Sequence, residues 1–261
     1  MNLSVDFTFT SNEETTNLIN EDISVSVTLS VFTGSGTSYS ATFTPSGEGS
    51  KSVSIAGSKF TDAAGNNNNA SNIFSWTYDS TSPTSAITSS DITSGSINNE
   101  SSVDFTFTSN ESSTNFAQDD ISVSGGTLSN FAGSGASYSA TFTPSGEGSK
   151  SVSIAGSKFT DAAGNNNNAS NIFSWTYDST SPTSAITSSD ITSGSINNES
   201  SVDFTFTSNE ETTNLIKEDI SVSGGTLSGF TGSGTSYSAT FTPSGEGSKS
   251  VSIAGSKFTD A

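Results

Sequence analysis

Phe159–Pro182 reads FTDAAGNNNNASNIFSWTYDSTSP; Phe60–Pro83 is the same string, and Phe258–Ala261 repeats its opening. It begins as a polar loop around Asp161, punctuated by Gly164 and Asn165, residue types that favour turns. It continues as a strand in which Phe173, Trp175 and Tyr177 alternate with Ser174 and Thr176, the period of a half-buried sheet. It leaves through Asp178 towards Pro182, which cannot donate to a ladder. Loop, strand and hinge recur together, so the string reads as the end of one module and the start of the next.

The rest of the chain repeats with it. SVDFTFTSNE stands at Ser4, Ser102 and Ser201, and TFTPSGEGSKSVSIAGSKFTDA at Thr42, Thr141 and Thr240. The first spacing is one residue shorter than the second, because Ser26-Val27-Thr28 stands where the later copies have Ser124-Gly125-Gly126-Thr127 and Ser223-Gly224-Gly225-Thr226. A period of about 100 residues is too long for a solenoid unit or a propeller blade, and suits an autonomous β-sandwich.

The middle copy predicts seven strands. Ser85–Thr88 opens it, and Ser184–Thr187 opens the third copy in the same words. Val103, Phe105 and Phe107 alternate inward over 102–108, a loop follows over 109–119, and Ile121 and Val123 mark a third strand ending at Gly125-Gly126. A short strand at 128–131 turns at Gly133-Ser134-Gly135 into a fifth carrying Tyr138, Ala140 and Phe142, which Pro144 ends. After Gly146-Glu147-Gly148 come Val152 and Ile154, and then the aromatic seventh strand. Period-2 alternation with a turn between each pair and no helical period predicts an all-β tandem sandwich. The boundaries are 1–82, lacking the first strand; 83–181, complete; and 182–261, lacking the last. The unequal ends suggest a window cut from a longer array, with strand exchange between chains as the lesser alternative.

Composition is consistent with this. Hydrophobic residues are 30% and charged residues 13%, low for a globular chain, but 18 Phe in alternating positions supply one apolar face per sheet. Seven Lys, no Arg and no His face 26 acidic residues, a net charge of −19 that repels phosphate backbones and makes nucleic acid a poor partner. No apolar run approaches the ~20 residues that span a bilayer as a helix, so membrane insertion is not expected. Without Cys or His there is no thiolate, no disulfide and no nucleophilic triad.

The acidic residues are placed, not scattered. In a Greek-key sandwich of this strand order, the loops after strands two and six share the end at which the chain enters. That gathers Glu111, Asp161 and Asn165 in the middle copy, to which the preceding hinge adds Asp79. Asp178, Glu210 and Asp260 form the matching set one repeat later, whereas Glu13 and Asp62 lack a third partner. Converging carboxylates repel unless neutralised, and Ca²⁺ accepts six to eight oxygens in irregular geometry. The expectation is a Ca²⁺ site between successive repeats; the plain alternative is solvated turn residues.

The run DAAGN, the aromatic strand and DSTSPT resemble the bacterial Ig-like repeats of large secreted surface adhesins, typically written D-x-A-G-N … D-T-T-A-P-T. SVSGGTLSNFAGSGASYSATFTPSGEG is similar to that family's middle section. The likeness covers essentially the whole chain. It implies an Ig-like, extracellular extender, often Ca²⁺-stiffened, with neighbouring repeats and other chains of a filament as its partners. Ser80, Ser82 and the four-Asn tracts depart from the pattern.

Other readings are weaker. A carboxylate pair could run glycoside hydrolysis, but near-identical copies suit a spacer better than an active site. Trp76 and Trp175 alternate with Phe and Tyr, so they read as core and not as a sugar platform. Asn69-Ala70-Ser71 and Asn168-Ala169-Ser170 fit the glycosylation acceptor pattern, as Asn/Ser-rich loops do by chance. A virion or tail-fibre module and a carbohydrate-binding module are the alternatives to the adhesin stalk.

Overall fold

The structure, a computed structural model, describes residues 4–260. The first repeat carries β1 (Val5–Thr15), β2 (Ile23–Val25), β3 (Thr28–Thr44), β4 (Gly49–Ile55) and β5 (Phe74–Tyr78). The middle repeat carries β6 (Ser85–Ser89), β7 (Ile97–Asn98), β8 (Val103–Ser113), β9 (Ile121–Ser124), β10 (Gly126–Pro144), β11 (Gly148–Ile154) and β12 (Phe173–Tyr177). The third carries β13 (Ser184–Ser188), β14 (Val202–Thr212), β15 (Ile220–Ser223), β16 (Gly225–Pro243) and β17 (Ser250–Ile253). The only helical elements among the described residues are three 3-10 turns, Asn20–Asp22, Gln118–Asp120 and Lys217–Asp219.

By its contacts the chain forms two compact units. The first runs up to Ser90 and adds Ser102–Thr143 and Ser151–Phe173. In it β1 pairs with β3, the order β2-β4-β5 faces that pair, β8 lies between β6 and β10, and β9 pairs with β11. Its aromatic residues interlock: Phe7 stands edge-on to Phe43 at 4.6 Å and to Phe74 at 5.1 Å, and Phe105 stands edge-on to Phe173 at 5.1 Å. Such edge-to-face pairs add to the burial itself.

The second unit takes Asp91–Ser101, Pro144–Lys150 and the chain from Ser174 onward. There β7 runs parallel to β12, β14 lies between β13 and β16, and β15 pairs with β17. Phe206, Leu215, Ile220, Leu227, Tyr237, Ala239 and Phe241 are its buried cluster. Lys150 is buried in this unit. Its Nζ donates to the carbonyls of Ser145 (3.4 Å) and Glu147 (3.1 Å) and lies 5.9 Å from the Tyr177 ring centroid, so the charge is spent on holding the Gly146–Gly148 turn. Lys51 is likewise buried in the first unit, on the carbonyls of Ser46 and Glu48.

The fold is the all-β Ig-like repeat that the alternation predicts, with three differences in detail. The second predicted strand does not end at Thr108: β8 reaches Ser113, bulging where Thr108 pairs with Ser137 but Ser113 pairs with Gly135. Residues 109–112 therefore bow out of the β8–β10 ladder, although Ser109 still pairs with Ser85 of β6, and Glu111 rides on that bulge and not in a loop. The fourth and fifth predicted strands are the arms of one element, β10, folded back at Gly133-Ser134-Gly135. Gly133 sits at φ +127°, where a Cβ would lie 2.4 Å from the Ser137 carbonyl oxygen, so the corner accepts only glycine. The third difference is β7, a two-residue strand with no sequence pattern of its own.

Candidate metal centre

Asp79, Glu111 and Asp161 are 32 and 50 residues apart in sequence, yet each offers a carboxylate oxygen within 4.8 Å of the others'. Asp178, Glu210 and Asp260 do the same one repeat later. Glu111 is delivered by the β8 bulge, Asp79 by the exit of β5, and Asp161 by the loop that follows β11.

The Asp161 loop is tied down by its own polar residues. Asp161 Oδ1 accepts from the Asn165 backbone N–H at 2.8 Å, Oδ2 accepts from Asn165 Nδ2 at 2.9 Å, and Gly164 at φ +90° makes the intervening turn. Ser113 and Asp161 form an isolated β-bridge, and Asn115 Oδ1 accepts both Ser113 Oγ (2.9 Å) and the Thr160 N–H (3.0 Å). Tyr138 Oη donates to the Ser113 carbonyl at 3.0 Å, so the end of β8 is held from β10 as well. Asn167, also buried, accepts from the N–H groups of Lys158 and Phe159 and donates to the Ala155 and Asn168 carbonyls. The Asn tract is therefore structural: alternate amides stand in for missing backbone partners.

Asp79 is fixed through the hinge. Asn165 Nδ2 donates to its carbonyl at 3.1 Å, and its Oδ1 accepts from the Thr81 N–H at 3.0 Å. The next residue, Ser80, is held from the first repeat, where the Glu48 carboxylate takes its N–H at 2.9 Å and its Oγ–H at 2.6 Å. Pro83 and Thr84 are bonded to Asn168 and Asn110 of the middle repeat. Glu147 repeats the Ser80 arrangement on Ser179.

Electrostatics leave the cluster short of positive charge. Burial pushes the Glu111 carboxyl up from its ordinary value, and the Asp79 and Asp161 carboxylates push it further. Glu210 is raised in the same way by burial, Asp178 and Asp260. Burial also opposes ionisation of Asp161, but the hydrogen bonds from Asn165, Gly164 and Ala163 outweigh it and lower that carboxyl. Glu111 Oε2 and Glu210 Oε2 are buried with no hydrogen-bond partner.

A cation fits this arrangement. Two oxygens on opposite sides of a Ca²⁺, each at about 2.4 Å, lie about 4.8 Å apart. The orphaned Glu oxygens are acceptors with nothing to accept from, and the donor set is all oxygen, as a hard divalent ion prefers. Asn165 stands beside the carboxylates with its amide Nδ2 donating to Asp161 Oδ2 and to the Asp79 carbonyl, so it positions two of the acids. In the first repeat Glu13 lies beside Asp62, and Asn66 repeats the Asn165 pattern on Asp62, but the pair gains no third acid from the described residues. Sequence reading missed Glu48, Glu147, Asn115 and Asn167, which hold the site without entering it. Their recurrence was the available signal: the Glu and Asn115 positions recur in all three copies and Asn167 in two.

Together these features define tandem Ig-like sandwiches with a carboxylate cluster where one repeat hands over to the next. The chain belongs to the bacterial Ig-like domain family, which matches it three times, over residues 2–78, 79–177 and 178–261. Each complete cluster lies within one match, with Asp79 and Asp178 as the first residues of theirs. Among solved structures, invasin, a bacterial integrin-binding protein, is similar at 12% identity and a TM-score of 0.38, over 95% of this chain and 56% of that one. InvD of Yersinia pseudotuberculosis is similar at 15% identity and a TM-score of 0.37, over 99% of this chain and 81% of that one. The chain thus spans little more than half of the invasin structure. No curated protein matches it in sequence. No helix among the described residues is long and apolar enough to cross a membrane.

Proposed function

We propose that this chain is an extender segment of an extracellular bacterial adhesin, and that Ca²⁺ held by Asp79, Glu111 and Asp161, and again by Asp178, Glu210 and Asp260, stiffens successive repeats. The observation that carries the reading is duplication: the same three-acid cluster forms twice, each time where one family match gives way to the next. Near-identical repeats distribute one structure along a length, which suits spacing, whereas a binding tip needs to occur once. The work is mechanical, and binding belongs to whatever the repeats carry. The ion would neutralise carboxylates that otherwise repel, and join the β5 exit to the β8 bulge and the loop after β11.

Thermal melts in Ca²⁺ and in EDTA test the metal, with a higher melting temperature expected in Ca²⁺ and the gain reduced by Asp79→Asn and by Asp178→Asn. Equal melting temperatures with and without the ion would sink the Ca²⁺ reading and leave the extender reading standing. A glycan array tests the latter, since sugar-specific retention would turn the repeats from spacer to binder.

A further inference from the structure

Each hinge is tied back to the sandwich it leaves, and the tie ends beside the carboxylate cluster. Ser80 follows Asp79 directly, and the Glu48 carboxylate takes both of its donors, the N–H on Oε2 at 2.9 Å and the Oγ–H on Oε1 at 2.6 Å. Ser179 follows Asp178, and Glu147 holds it at the same 2.9 and 2.6 Å. Bonds to a charged acceptor are among the stronger ones, and two of them fix a direction as well as a distance.

The glutamates stand on pinned backbone. Lys51 Nζ donates to the Ser46 and Glu48 carbonyls at 3.0 and 3.2 Å, as Lys150 Nζ does to those of Ser145 and Glu147. Both lysines are buried, so a corner that moved away would strand an ammonium without its acceptors. One line of contacts therefore runs from Lys51 through the corner between β3 and β4 to Ser80, and on to Asp79. From the other side, Asn165 Nδ2 holds the Asp79 carbonyl, so the backbone at Asp79 is gripped by both repeats.

We propose that the Glu48–Ser80 and Glu147–Ser179 pairs couple each cation site to the corner of the repeat before it, β3–β4 for the first site and β10–β11 for the second. Ion binding tightens the corner, and the corner tightens ion binding by the same factor. The coupling rests on the Ca²⁺ reading above and is carried by residues that touch no ion. Reciprocity is required, because a contact that favours the bound arrangement of Asp79 is itself favoured by the ion that selects it. Glu48 also acts on the site through its charge. Glu111, raised first by burial and then by Asp79 and Asp161, is raised further by Glu48, and Glu210 by Glu147 in the same way. The variant that isolates the contact is therefore on the serine, which carries no charge.

Calorimetric titration of the whole chain with Ca²⁺ should resolve two sites. Ser80→Ala, an exposed substitution that alters no charge and no ligand, should weaken one of them about fivefold or more and leave the other as it was. In a Glu48→Ala chain the same serine change should have no further effect, because its partner is already gone. Amide exchange reads the coupling in reverse. Ca²⁺ should slow exchange at Ser80 and over 46–50 more in the parent than in Ser80→Ala, and should slow 145–149 equally in both, which also shows that the variant is folded. A parent chain that binds no Ca²⁺ sinks the cation reading and the coupling together. If the parent binds two ions but Ser80→Ala binds both as tightly, or if exchange over 46–50 ignores the ion, the coupling alone is overturned.

Discussion

Glu111 shows how one side chain can be harmful or useful depending on its company. In the folded chain its carboxyl is harder to ionise than in the unfolded chain. Between the ordinary value of 4.5 and its raised value the fold holds a proton that the unfolded state has released, so stability from this group is present at low pH and lost as pH rises through that window. Without divalent cation, acidifying from neutrality towards 4.5 should therefore raise the melting temperature through Glu111 and Glu210. Glu48, Asp62, Asp161 and Glu147 have lowered values, and their contribution falls away as the medium becomes more acidic still. The variant Glu111→Gln should flatten the first of these slopes. It should match or exceed the parent's melting temperature in EDTA and fall below it in Ca²⁺, a crossing that simple loss of packing would not produce. Asn171→Ala, which removes the bracket around Ile87, should cost about 1–3 kcal/mol in denaturant titration because both backbone groups lose a partner in a half-buried place.

At the scale of the element, repetition makes the chain its own control. Phe105 on β8 and Phe7 on β1 have identical flanking sequence, but Phe105 is 1% exposed and Phe7 is half-buried. Phe105→Ala should cost about 3–5 kcal/mol and Phe7→Ala clearly less, as read by chemical denaturation. The two Trp residues should separate in the same way: acrylamide should quench Trp76 readily and Trp175 poorly, leaving one shielded population in the Trp76→Phe variant. Alternation revealed nearly every strand, since a period of two with Phe, Val and Ile inward leaves little choice of face. It could not reveal the bulge at 109–112, because a bulge is a mismatch between two strands and neither strand records it alone. Nor could it reveal β7, whose two residues are extended because β12 lies beside them. The acids Asp79, Glu111 and Asp161 were legible because each recurs at one fixed place beside a strand end of the repeat; the hydrogen bonds that Asn165 gives to two of them were not, because spacing does not show which atom of an Asn amide faces its neighbours.

At the scale of the whole molecule, two complete clusters form among the described residues. Equilibrium dialysis should accordingly find two Ca²⁺ per chain and not one per repeat, since Glu13 and Asp62 gain no third acid among the described residues. A stoichiometry of three would show that the pair in the first repeat suffices.

The buried lysines have a consequence for survival among proteases. With no Arg in the chain, trypsin-like enzymes must cut after Lys, and Lys51 and Lys150 are sequestered within β4 and β11. Three of the exposed ones, Lys59, Lys158 and Lys257, stand at one recurring Gly-Ser-Lys-Phe corner. Brief digestion should therefore clip the chain at a regular interval of one repeat, with one further cut at exposed Lys217 in the third repeat.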